Sequence, residues 1–224
     1  MYKRQAPNAE LLLRYARMTG NKEALEKGLR ALESMDKFTI PRAAQCWECP
    51  VHSPDIYASA KITDAYIEGY RATGDKKYLD RAVYWAYTGI PFTYFWTAPD
   101  RPVMKYATIP IFGATAFTGS WIGVPVQWNG LCYAYALQHL WEYDKSFPWY
   151  TLAEGIVISG MVQQEKDGKA KGCYTDNWNL MGDIKCAGCL INPELIIKNV
   201  YTLLGEDPDA VSYTHLTLPT KRIV

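Results

Sequence analysis

The chain has 224 residues, 49% apolar and 21% charged, the balance of one large globular domain or two small ones, which excludes a disordered chain. Its net charge of +1 leaves no electrostatic case for nucleic acid or an anionic membrane as partner, and no apolar run nears the roughly 20 residues of a bilayer span. Eight Trp, 17 Tyr and 6 Phe point either to an aromatic-rich core or to a concave site lined with flat rings.

Both ends read as non-native. Met1-Tyr2-Lys3-Arg4-Gln5 and the tail 211–224 (VSYTHLTLPTKRIV) resemble translated adapter read-through of the kind found on metagenomic gene fragments. The tail alternates polar and apolar residues where the chain before it reads as helical; a native edge strand is the alternative. The expected organisation is a non-native leader at 1–5, one partial domain over 6–210 and a non-native tail at 211–224. Such a piece of a longer protein implies no compartment.

Within the domain, two stretches match at an offset of 54 residues. Arg17, Thr19, Gly20, Asn21, Lys22, Leu25 and Leu29 correspond to Arg71, Thr73, Gly74, Asp75, Lys76, Leu79 and Val83. Gly20 and Gly74 suit the left-handed residue that closes a helix, and Asn21 and Asp75 suit the N-cap of the next. Each unit is thus expected to be an antiparallel helical hairpin with a very short turn.

Ser53-Pro54 predicts an N-cap followed by an N1 proline, with a helix over 55–73 that is apolar around much of its circumference. Its partner over 76–87 carries the narrower stripe Leu79, Ala82, Val83 and Ala86. Residues 128–143 form a third, strongly apolar helix. Thr151 and Glu154 have the spacing of a capping box opening a helix to about 164, and Asn192-Pro193-Glu194 opens the last, ending at Gly205. The intervening segments, 90–127 and 166–191, are long and rich in Gly, Pro and aromatics, which in a helical domain marks functional connections. Widely apolar helices alternating with striped ones predict an all-α, incomplete (α/α) toroid. An inner ring would be buried on both sides, an outer ring would face water, and loops would form a funnel at one end.

With QCWECPVHSPD at 45–55, these hairpins and aromatic loops resemble the (α/α) toroid of the six-hairpin glycosidase superfamily over about 6–209. The likeness covers about half the hairpins of such a ring and is one of architecture and loop character. It implies a carbohydrate-active enzyme, a glycoside hydrolase using paired carboxylates on an oligo- or polysaccharide, and no cofactor. A non-catalytic glycan- or protein-binding toroid, a polysaccharide lyase and a Cys-ligated zinc enzyme are the alternatives.

On that expectation the candidates lie in three loops. Glu48 and His52 follow Trp47 just before a buried helix, with Asp55 beside its start; Glu48 suits an acid or base, and His52 and Asp55 can hold a hydroxyl. Each also has a structural reading, Asp55 as a residue favoured by the helix dipole and His52 as a loop tie. Gln127, Trp128 and Asn129 place two amides beside a ring, a pairing suited to sugar hydroxyls. Asp176, between Tyr174 and Trp178, is the expected second carboxylate. Tyr94, Trp96 and Trp121 are candidate platforms for sugar faces or, equally, packing groups. Asp64 and Glu68 read as structural ion pairs with Lys61 and Arg71.

Of six cysteines, Cys46 and Cys49, and Cys186 and Cys189, form two Cys-x-x-Cys pairs. These have the composition of a four-thiolate zinc site, but lie about 135 residues apart, far beyond the 15–20 of a zinc ribbon. Reduced, unpaired thiols are the other reading.

Overall fold

The computed structural model describes residues 2–42, 53–97, 100, 105–111, 114–115, 119–120, 124–179, 184–186 and 189–206. Among them are seven α-helices: α1 (Tyr2–Thr19), α2 (Lys22–Glu33), α3 (Ile56–Thr73), α4 (Lys76–Tyr87), α5 (Gln127–Trp141), α6 (Trp149–Val162) and α7 (Glu194–Leu203). Helix α1 packs on α2 and α3, α3 on α1, α4 and α5, and α5 on α3, α6 and α7. The odd-numbered helices therefore form an inner row and the even-numbered ones an outer row, the arrangement of an incomplete (α/α) toroid.

The repeat is local chemistry used twice. Gly20 and Gly74 both take φ 71°, and their N–H groups close the preceding helices on Ala16 and Tyr70 at 2.8 and 2.7 Å. Thr19 and Thr73 donate back to Tyr15 and Gly69 and accept from the N–H of Asn21 and Asp75. Asn21 and Asp75 then cap α2 and α4.

Three helix starts differ from expectation. Helix α3 is capped by Asp55, whose carboxylate accepts from Ala58 N at 2.6 Å, rather than by Ser53-Pro54. Pro54 and Asp55 are held extended by bridges to Arg42 and Ile111, so the helix cannot begin sooner. Helix α6 opens two residues before the predicted capping box, with Pro148 at the N-cap and Thr151 exposed inside the first turn. The buried Trp149 sets that start: its ring packs on Tyr87 and Phe147, and its indole N–H donates to Asp144 at 2.6 Å. Helix α7 begins at Glu194 with Pro193 rather than Asn192 at the cap. At the amino end, α1 runs through residues assigned from sequence to the leader, and Gln5 Nε2 donates to Ser34 at 3.3 Å.

The long connections carry short antiparallel ribbons: β1 (Ala114–Thr115) with β2 (Gly119–Ser120), β3 (Tyr174–Thr175) with β6 (Leu190–Ile191), and β4 (Trp178–Asn179) with β5 (Ile184–Lys185). They lie at the N-terminal ends of α3, α5 and α7. Ile56 N bonds Pro110 O, Val126 N bonds Thr108 O and Trp178 N bonds Pro125 O, at 3.2, 2.8 and 3.0 Å. The loops thus gather at one end of the inner row, as expected.

Burial follows the two rows. Twelve of the 18 residues of α3 are buried, against four of 12 in α4, the difference between a helix covered on several flanks and one half in water. The two end helices are less covered: α1 exposes Leu11, Tyr15 and Met18, and α7 with its C-cap exposes Ile197, Tyr201 and Leu204, each set at i, i+4, i+7 spacing. Among the described residues no helix is long and apolar enough to cross a membrane.

Candidate functional site

One face of each inner helix is polar and aromatic. On α3, Tyr57, Lys61, Asp64, Glu68 and Arg71 follow 4-3-4-3 spacing, and on α5 and its C-cap Trp128, Cys132, Tyr135, His139 and Glu142 follow the same pattern. At that spacing each set lies on one side of its helix. The two rows meet along their length. Tyr57 packs edge-on against Trp128 at 5.4 Å, His139 Nδ1 lies 3.6 Å from Asp64 Oδ1, and Arg71 donates to Glu142 at 3.0 Å. Helix α1 adds Glu10, Arg14 and Arg17, with Arg17 Nε 3.1 Å from Glu68. Helix α7 adds Lys198, whose Nζ sits 3.8 Å from the centre of the Tyr135 ring.

Toward the C-terminal halves of these helices the rows enclose a cavity of about 700 Å³. Glu10, Asp64, Tyr135, His139, Arg71 and Tyr143 are among its lining. Burial, reinforced by the Asp64 charge, pushes the Glu10 carboxyl up from 4.5 to about 7, while Lys61 and Arg14 oppose the rise. Cys132 is raised to about 11, mainly by burial, so its thiol stays protonated at neutral pH. Glu68 is bracketed by Arg17 and Arg71, the latter at 2.9 Å. The Glu68–Arg71 pair expected from sequence is therefore present. Asp64 instead lies against His139 from α5, with Lys61 acting on it electrostatically. The signal that could have revealed the chamber is the 4-3-4-3 repeat of polar residues on two otherwise apolar helices.

The sequence-predicted residues distribute unevenly. Trp47, Glu48, His52, Trp121, Cys46 and Cys49 lie outside the described residues. Trp128 and Trp178 are both half-buried at the loop end, and Lys185 sits over the Trp178 ring at 4.8 Å. Asp176 is half-buried in the same loop; its N–H donates to Cys189 O at 2.7 Å and its carboxylate accepts from Asn177 Nδ2 at 3.4 Å. Trp96 is 58% exposed and meets Tyr94 edge-on at 5.6 Å. Asp55 is fully buried in its capping role.

The amide pair behaves differently from expectation. Gln127 is fully buried and its amide is saturated by protein: Oε1 accepts from Thr108 N and Gln163 Nε2, both at 3.0 Å, and Nε2 donates to Tyr106 O and Ile156 O. It fastens the loop to α5 and α6 and has no hydrogen-bonding capacity left for a sugar. Gln127→Leu is expected to lower stability by about 2–4 kcal/mol by orphaning these buried groups, read as a shift in the urea midpoint. Asn129, beside it, is also fully buried, yet among the described residues neither amide atom has a partner. Cys186 and Cys189 are free, and the thiol of Cys186 is raised by its hydrogen bond to Cys189. Among the described residues no group of three or more His, Cys, Asp or Glu is placed to hold a metal.

No family model matches the chain, and no curated protein matches it in sequence. Solved structures do match it. The chain resembles the glycoside hydrolase family 76 α-mannanase of Bacteroides thetaiotaomicron with TM-score 0.61 and 14% identity, over 94% of this chain and 54% of that one. It resembles the cellobiose 2-epimerase of Spirochaeta thermophila with TM-score 0.59 and 13% identity, over 93% and 55%. It also resembles the unsaturated glucuronyl hydrolase of Bacillus sp. GL1 with TM-score 0.55 and 15% identity, over 89% and 56%. These are (α/α)6 toroids, and this chain has the fold of part of one, spanning about half the length of the solved structures it matches.

Proposed function

We propose that the protein is a carbohydrate-active enzyme, and more finely a glycoside hydrolase acting on an oligo- or polysaccharide. The observation that carries this reading is the continuity of two surfaces in a toroid arc. An aromatic mouth, with Trp128, Tyr57 and Trp178 at the loop end, stands at the head of the polar rows of α3 and α5. Flat rings suit the C–H faces of sugar rings, and the polar rows below suit hydroxyl groups. In this reading Asp176 and Glu48 are the carboxylate pair flanking the scissile bond, His52 assists by holding a hydroxyl or moving a proton, and Trp47, Trp121 and Trp178 are platforms.

A lyase would draw on a histidine or on a tyrosine of lowered pKa as its base. Burial pushes Tyr57, Tyr94, Tyr133 and Tyr174 up, which makes these four phenols poor bases at neutral pH. The test is digestion of α-mannan, β-glucan and unsaturated glucuronyl oligosaccharides by the full chain, with Asp176→Asn in parallel. Cleavage of one substrate and a loss of about 10²–10⁴-fold in the variant are expected. No cleavage of any, or an undiminished rate in the variant, would overturn the reading.

A further inference from the structure

The chamber at the C-terminal halves of the inner helices contains a group that the protein itself leaves unanswered. Asp64 is 6% exposed and lines the cavity, and among the described residues its Oδ1 accepts no hydrogen bond; His139 Nδ1 faces it across an ion-pair distance of 3.6 Å, beyond hydrogen-bond reach. A buried carboxylate oxygen without a donor is costly unless something else supplies one. The opening beside it is large enough for a di- or trisaccharide-sized ligand.

We infer that this axial chamber is a binding site for a neutral, polyhydroxylated ligand of the sugar class, with Asp64 Oδ1 accepting from a ligand hydroxyl and the Glu10 carboxyl donating to another. The inference rests on the carbohydrate reading above and extends it to a subsite that lies away from the aromatic mouth. From Tyr57 to Asp64 the helix rises about 10 Å, roughly the span of two sugar units below the rings.

The charges argue for neutrality of the ligand. Glu68 is matched by Arg17 and Arg71, and Arg71 also holds Glu142. Lys61 balances Asp64, and the half-buried Glu10 keeps its protonated, uncharged form below about pH 7. What faces the ligand is then a set of donors and acceptors with little net charge, flanked by the apolar faces of Tyr70, Tyr135 and Tyr143. A uronate brought in beside Asp64 would meet a like charge.

Because Glu10 donates only when protonated, binding is expected to weaken as pH rises through 7. The charged and titratable groups around it are Arg14 and Arg17 from its own helix, Lys61, Asp64, Glu68 and Arg71 from α3, and, across the cavity, His139 from α5, Glu142 just after it and Glu206 after α7.

The experiment is calorimetric titration of the full chain with mannobiose, cellobiose and a uronate disaccharide at pH 5.5, 7.0 and 8.5. One of the neutral disaccharides is expected to bind at least tenfold more tightly than the uronate, and less tightly at pH 8.5 than at 5.5. Asp64→Asn should weaken binding at least tenfold at each pH. Glu10→Gln, whose amide keeps a donor at all pH values, should retain the low-pH affinity throughout. Circular dichroism is the check that both isosteric variants are folded. Unchanged binding in folded Asp64→Asn overturns the inference, as does an unchanged pH dependence in Glu10→Gln or preferred binding of the uronate. If glycan cleavage depends on Asp176 while Asp64→Asn binds normally, the inference fails and the hydrolase reading stands. If no glycan is cleaved and no disaccharide binds, both fall.

Discussion

Glu68→Ala is expected to destabilise the protein by about 3 kcal/mol, the low end of the cost of breaking a buried ion pair from one side. The Glu68 side chain is 7% exposed and accepts from Arg17 Nε at 3.1 Å and Arg71 Nη1 at 2.9 Å, so one carboxylate ties α1 to α3 and fixes the Arg71 rotamer. Removing it leaves the Arg71 guanidinium, 16% exposed, with Glu142 and the Tyr143 hydroxyl as its partners among the described residues. Those partners keep the cost from reaching the upper end. Glu142→Gln is the contrasting case. Glu142 is 51% exposed, and an ion pair bathed in water contributes no more than about 1 kcal/mol. Urea midpoints of the two variants should therefore separate clearly. Equal midpoints would mean that the Arg17–Glu68–Arg71 bridge does not hold the inner row together.

The hairpin turns were legible because their chemistry is local. Thr19-Gly20-Asn21 and Thr73-Gly74-Asp75 each place a left-handed residue, a back-bonding hydroxyl and a cap within three positions, and these interactions scarcely depend on the remainder of the chain. The inner and outer rows were legible for a related reason: a helix buried on several sides must be apolar around most of its circumference, and α3 is.

The interior was not legible, because its meaning depends on partners far along the chain. Asp64 and Glu68 sit at ordinary surface-pair spacing from Lys61 and Arg71, yet Glu68 is held by Arg17, 51 residues earlier, and Asp64 faces His139. Gln127 looked like a sugar-binding amide for the same reason. Nothing near it in sequence announces that Thr108, Tyr106, Ile156 and Gln163 saturate it. The misplaced start of α6 is a contest between two local signals. A capping box stabilises a helix start by about 1 kcal/mol, whereas fully burying a large aromatic ring such as Trp149 is worth more than that, so the ring sets the boundary.

Stability is expected to decline with rising pH across the range in which Glu10 ionises, and Glu10→Gln is expected to abolish that part of the decline. Burial is the main cause of the raised carboxyl and the Asp64 charge the second, so the folded chain favours the protonated form up to about pH 7, while in the unfolded chain the group ionises near 4.5. Between those values the folded state binds more protons, so stability that is fully present below pH 4.5 is lost as pH climbs through 7. The gap corresponds to at most about 3 kcal/mol, an upper bound because the cavity admits water. Cys132, raised to about 11, does not titrate in this window. Since the remaining carboxylates are common to both proteins, the difference between parent and variant isolates Glu10. Melting curves from pH 4.5 to 8.5 should nearly coincide at the acid end, separate progressively between pH 4.5 and 7 and keep a constant gap above neutrality, with the glutamine protein the more stable. Parallel curves would mean that Glu10 is as well solvated in the folded chain as in the unfolded one, and the chamber beside Asp64 would then be open to bulk water.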